Sequence, residues 1–134
     1  MADVLEKQAK YSGTNVTITT TTEKVIITSD PITVPFNTAL ILVKAWGELT
    51  TGTNTTGVAP AIRRGTTITD TLITEQNNQL ITAAAAATQF FFIMGAEQVS
   101  NVTGLVYSFT LLQAGSDGNG TVLQAGIEVE VLSG

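Results

Sequence analysis

The sequence predicts an all-β fold: an antiparallel β-sandwich, jelly-roll-like, of eight or nine strands with a short N-terminal arm. Three observations carry that prediction. Threonine occurs 24 times, mostly in runs that alternate with Val, Ile and Leu. Its branched β-carbon suits an extended backbone, and its hydroxyl suits a half-solvated sheet face. Candidate strands recur at intervals of about ten residues with turn residues between them. No segment sustains the 3.6-residue apolar period of a long helix. A chain of 134 residues is one domain's worth of core.

Residues 1–13 read as a separate arm, and 14–134 as the sandwich. In the arm, Val4, Leu5, Gln8 and Ala9 fit one side of a short helix that Ser12 and Gly13 would stop. Such a helix is too short to stand alone in water, so it is expected to dock on its own domain or on a neighbouring protein. Strands follow at 15–21 and 24–29, with a break near Thr22 and Glu23. Asp30 and Pro31 end the second, and Pro35 interrupts the short stretch 32–36. Residues 39–49 form the strongest strand, apolar on both faces, as in a central strand buried on two sides. After the polar loop 50–57 comes a strand at 58–64, which Pro60 places at an edge or a bulge.

Gly65 and two threonines turn the chain into 70–75, and residues 76–78 turn it into 79–82. The alanine run 83–87 favours helix by propensity but is too short to nucleate one. It reads as a tight crossing or the end of a strand. Residues 89–94, with Phe90, Phe91, Phe92 and Ile93, read as a buried strand, and 95–104 as a loop. In 105–114, Tyr107, Phe109 and Leu111 share one face, with Ser108 and Thr110 on the other. A turn rich in residues that tolerate positive φ occupies 115–120. The last strand, 121–132, alternates: Leu123, Ala125, Ile127, Val129 and Val131 point inward; Gln124, Glu128 and Glu130 point outward.

Composition excludes several functions. There is no His and no Cys, the side chains that most often supply acid/base chemistry, nucleophiles and metal ligands near neutral pH. No disulfide framework, metal site or cofactor is therefore expected, and the chain is not expected to be an enzyme. A net charge of −5 with only Arg63 and Arg64 adjacent offers no basic patch for nucleic acid. No stretch reaches the roughly 18 to 20 apolar residues that cross a bilayer. Residues 1–10 carry Asp3 and Glu6 and lack the apolar core of a secretory signal. Seventeen charged side chains on a surface of on the order of 6,700 Å² are about half the usual density. A β surface so uncharged is expected to be covered in part by other subunits.

The candidate site residues are few. Glu128 and Glu130 lie at i, i+2 on one strand, so both carboxylates share a face. Acid/base chemistry needs such a pair across a cleft, and neighbours on one strand suit a solvated face or a basic partner instead. Arg63 and Arg64 point to opposite faces of a strand, so one of them can lie near apolar surroundings, where an Arg needs a carboxylate; plain solvation and contact with a ligand are the alternatives. Glu128, Glu130, Glu48 and Asp70 are available for an intersubunit or intrasheet ion pair. Asp117 sits in a turn with one acidic oxygen donor where a calcium loop needs several. Gly65-Thr66-Thr67 lacks the spacing and the Lys of a phosphate loop. Four Asn-x-Thr sequons, at Asn15, Asn54, Asn101 and Asn119, follow by chance from so much threonine. Trp46 is expected in the core.

The segments LILVKAWGELTTGT (40–53), AIRRGTT (61–67), YSFTLLQAG (107–115) and GTVLQA (120–125) carry a resemblance. Over residues 36–132 the chain resembles small structural proteins of tailed bacteriophages, the compact β-sandwich decoration or cement proteins of the head. That resemblance implies a jelly-roll-like fold, a homotrimer and contacts to the major capsid protein through arms and basal loops. It also implies a place on the capsid surface of the virion after synthesis in the host cytoplasm, and it transfers no catalytic residue. On this reading Val4, Leu5 and Tyr11 of the arm contact the shell or a neighbour, while Arg63, Arg64, Glu128 and Glu130 serve the oligomer interface or its ion pairs. The alternative is a phage fibre or tail head, or a carbohydrate-recognition β-sandwich module, working through loops 50–57, 76–78 and 115–120.

Overall fold

The computed structural model describes residues 4–13, 16–18, 23–34, 39–50, 56–75, 79–81, 88–114 and 120–133. The alanine run 83–87, Asp117, Asn15, Asn54 and Asn119, and most of the three polar loops lie outside the described residues. Among those described there are twelve strands: β1 (Val4–Ser12), β2 (Val16–Ile18), β3 (Lys24–Thr28), β4 (Ile32–Val34), β5 (Ala39–Thr50), β6 (Thr56–Arg64), β7 (Thr71–Glu75), β8 (Gln79–Ile81), β9 (Thr88–Val99), β10 (Val102–Leu105), β11 (Tyr107–Ala114) and β12 (Gly120–Ser133). All their pairings are antiparallel.

In the first sheet β1 and β2 lie end to end along one edge of β12, followed by β5 and β9. The second sheet runs β3, β11, β6, with β7 and β8 sharing the far edge. Each sheet thus has four rows, the eight-row pattern of a jelly roll, and β4 pairs with β10 as a separate ribbon. Between the sheets, Ile41, Val43, Ile93, Ile127 and Val129 of the first meet Ile27, Ile62, Tyr107, Phe109 and Leu111 of the second. Phe91 and Phe109 touch across that layer with ring centroids 5.7 Å apart, the tilted arrangement aromatic pairs prefer.

Four expectations need correction. The arm is not a helix. Residues 4–12 pair with β12 from Leu132 to Ala125, because an edge that supplies backbone partners outcompetes a helix too short to nucleate. Gln8 fastens this strand to the segment that follows β3: its amide donates to Asp30 O and accepts from Asp30 N, both at 2.9 Å. Next, β5 alternates strictly between buried and half-buried residues, so only its Ala39–Leu49 face is core. The segment expected as a loop at 95–104 is mostly strand, since β9 pairs with β5 as far as Val99 and β10 follows. Last, a register shift between Val122 and Gln124 puts Val122 inward and leaves Leu123 half-buried.

Candidate functional site

Arg63 and Arg64 do project to opposite faces, and the partners they find are local to the chain. On the outer face of the second sheet, Arg63 Nε donates to Glu23 Oε2 at 2.7 Å and Nη2 to Oε1 at 3.0 Å, with Nη1 on Asp70 O at 2.8 Å. This fork lies over Ser108 and Thr110, both wholly buried. Burial alone would raise the Glu23 carboxyl. Hydrogen bonding from Arg63 and the guanidinium charge outweigh it, so its pKa falls below the ordinary value.

Arg64 points between the sheets at one end of the sandwich. Its guanidinium grips Glu97 of β9 in a bidentate pair, with Nε to Oε1 at 2.8 Å. Tyr107 donates its hydroxyl to the same carboxylate. Burial and the Glu97 carboxylate push the Tyr107 phenol far up, so it remains a donor. Two depressions of about 360 and 210 Å³ flank Arg64. Its charge is already met by Glu97, so neither is an anion site. Nearby, the Asp70 carboxylate accepts from Thr66 N and Thr67 N at 2.9 Å. The amides that would cradle a phosphate already hold the chain's own anion. Gly65 at φ 129 makes room for it, because a Cβ there would lie 2.2 Å from Asp70 Oδ2.

Glu128 and Glu130 share the outer face of the first sheet, as their spacing requires. Lys7 of β1 and Lys44 of β5 bridge both carboxylates at 3.6–3.7 Å. Glu130 is held below the ordinary carboxylate range, first by the hydrogen bond that Glu128 donates to it when protonated and then by the two ammonium groups. The arginines and these glutamates therefore do not meet. Glu23 and Glu97, which sequence reasoning missed, take the arginines instead.

Among the described residues, the same face carries most of the large apolar side chains that remain open, Ile68 and Leu72 being elsewhere. Tyr11, Phe90, Phe92 and Met94 are 62%, 68%, 52% and 51% exposed, so the FFF run is core only at Phe91. Trp46 also faces outward and is half-buried. Its indole rests on Gly126, where a Cβ would lie 2.0 Å from Cζ2. Beside it Tyr11 donates to Gln124, which donates in turn to Glu48. Of the arm residues, Tyr11 stands on this face; the side chains of Val4 and Leu5 lie outside the described residues.

No protein family and no curated protein matches the sequence. Solved structures do. A chain in the structure of infectious bursal disease virus, Gt strain, superposes with a TM-score of 0.52 at 5% identity, covering 96% of this chain and 37% of the viral one. Eiger TNF from S. frugiperda follows at 0.47 and 13%, covering 73% and 62%. A chain of the Bacillus endospore appendages, described as disulfide-linked pili, gives 0.42 and 16%, covering 95% and 89%. The first likeness shows a shared fold, within which this chain spans little more than a third of the viral chain; the two weaker ones carry no argument.

Proposed function

We propose that this chain is a virion structural protein: a capsid decoration or cement protein that assembles with copies of itself, as a homotrimer, and binds the assembled major capsid shell. It works on the capsid surface, without catalysis or a cofactor. One observation carries the reading: the chain's few charges engage one another. Arg63 is matched by Glu23, Arg64 by Glu97, and Lys7 and Lys44 by Glu128 and Glu130. What remains outside is a sparsely charged, net acidic surface, suited to protein contact rather than to an anionic polymer. The fold shared with a chain of a virus particle supports it.

Mechanically, each copy adds contacts that exist only in the assembled shell, so expansion or rupture must break many at once. The first strand, with Val4, Leu5 and Tyr11, is the segment assigned to the shell or a neighbour. Quantitative mass spectrometry of purified particles from the chain's source tests the role. Many copies per particle are expected, and particles stripped of the chain should rupture at lower temperature until it is added back. Absence from the particles overturns the proposal. The second reading, a carbohydrate-recognition module or fibre head, is favoured by the outward Trp46 flat on Gly126, and a reproducible hit on a glycan array would select it.

A further inference from the structure

Across the outer face of the first sheet the strand register aligns Tyr11 of β1, Gly126 of β12, Trp46 of β5 and Phe92 of β9 in one row. Gly126 contributes no side chain, and the Trp46 indole fills its place. The row is therefore a continuous aromatic strip from one edge of the sheet to the other, about 14 Å at the usual strand spacing. Phe90 and Met94 stand beside it on β9, opposite Glu48 and Lys44.

The exposed parts of Tyr11, Phe90, Phe92 and Met94 amount to on the order of 450 Å², taking each full side chain at about 200 Å². That is more than half of the roughly 800 Å² that one partner contributes to a stable interface of standard size. The half-buried Leu40, Leu42 and Trp46 on the same face supply further area. Isolated, a patch of this size on an edge-containing sheet promotes aggregation.

Charge identifies the occupant. Lys7 and Lys44 neutralise Glu128 and Glu130 within the chain, and Glu48 accepts from Gln124. Dehydrating the face leaves one charge without a cation, that of Glu48, which the neutral Gln124 amide meets by a hydrogen bond, so no strong field on it selects a charged partner. The chain carries a net charge of −5, so two copies repel unless they meet where the charge is balanced. This face comes near that condition, with two lysines against three glutamates (Lys7 and Lys44; Glu48, Glu128 and Glu130).

We propose that the outer face of the first sheet, centred on Tyr11, Phe90 and Phe92, is where a second copy of this chain binds. The inference rests on the reading above only for the premise that copies associate; it names the surface and its anchors. Aromatic side chains in a desolvated centre carry most of the energy of such contacts.

The test is sedimentation velocity and native mass spectrometry over a concentration series. The wild type is compared with Phe90→Asp/Phe92→Asp and with the control Ile68→Asp/Leu72→Asp, which changes exposed apolar residues in and before β7, away from this face. Far-UV circular dichroism and thermal unfolding verify the fold of each. The wild type and the control should associate alike, while the phenylalanine variant should stay folded and associate about a hundredfold more weakly. A wild type that is monomeric throughout, or a phenylalanine variant that associates normally, overturns the inference. So does a monomeric wild type that binds a glycan through Phe92. A chain that associates through this face yet is absent from particles upholds the inference and removes the virion role. A monomer that coats particles does the reverse.

Discussion

On the second sheet, the outward-pointing Ser108 and Thr110 are wholly buried because Arg63 and Glu23 lie across them. On the first sheet, the outward-pointing Phe90 and Phe92 stand more than half exposed, although Trp46 and Met94 are their neighbours on that face. The polar face is closed and the apolar face is open, the reverse of what a lone molecule in water would favour. The difference lies in reach. A guanidinium fork bonded to a carboxylate forms a roof over short hydroxyls, with its own polar atoms satisfied. Phenylalanines on an edge strand have a neighbour on one side only, and the Trp46 indole opposite Phe92 lies over Gly126 instead. A closed face adds to the stability of one chain; an open one adds only when something covers it.

Stability measurements can break that contrast, and the layer between the sheets sets the scale. Phe109 is fully buried and touches Phe91, so Phe109→Ala should cost about 3–5 kcal/mol of a total that for such domains is about 5–15 kcal/mol. Urea denaturation of the dilute protein measures it. A smaller effect comes from the closed face. Arg63→Ala leaves the Glu23 carboxylate partly buried beside the Thr110 hydroxyl, and about 2 kcal/mol should be lost. That is below the value for a fully buried pair, because the two side chains retain 16% and 18% exposure. Arg63→Met/Glu23→Leu should recover most of it, since removing both partners strands neither. A double variant as unstable as the single one would show that the roof acts through packing rather than charge.

Acid should open the closed face. The Glu23 carboxyl has its pKa lowered in the folded chain from an ordinary 4.5. The folded state thus binds that proton less readily than the unfolded one, and the resulting stability is fully present above the ordinary value. It should fall away as the pH drops from about 4.5 through the lowered folded-state value. Asp70, held down by the amides of Thr67 and Thr66, and Glu130, beside Glu128 and the two lysines, act in the same direction. Urea midpoints measured from neutral pH downward should therefore decline below that point, and less steeply in Glu23→Gln. An identical decline in the variant would remove Glu23 from the account.

How much of this was legible beforehand depended on the range of the interaction. The alternation of β12 from Ala125 to Val131 reads directly from sequence, because a period of two on a half-buried sheet is a local signal. One extra residue near Leu123 was enough to invert the pattern before it. The arginines' partners were beyond reading: Arg63 and Glu23 are 40 residues apart, Arg64 and Glu97 33. Only the sheet registers decide which carboxylate arrives. The open phenylalanines were within reach. In any strand through Phe90, Phe91 and Phe92 the outer two must face away from the middle one, so a run that looks like solid core can hold only half of it.

The smallest expected change in stability is the most informative about the open face. In dilute solution Phe90→Asp and Phe92→Asp alter side chains that are 68% and 52% exposed, and substitutions at such positions usually stay within about 0.5 kcal/mol. The same variants should behave very differently from wild type at high concentration. There the wild type gains stability from association and its melting temperature should climb with protein concentration, whereas theirs should stay flat. A concentration-independent wild type would mean that nothing of its own kind covers the face. A large loss in dilute solution would mean that these rings already support the isolated fold, and the division between a closed and an open face would not hold.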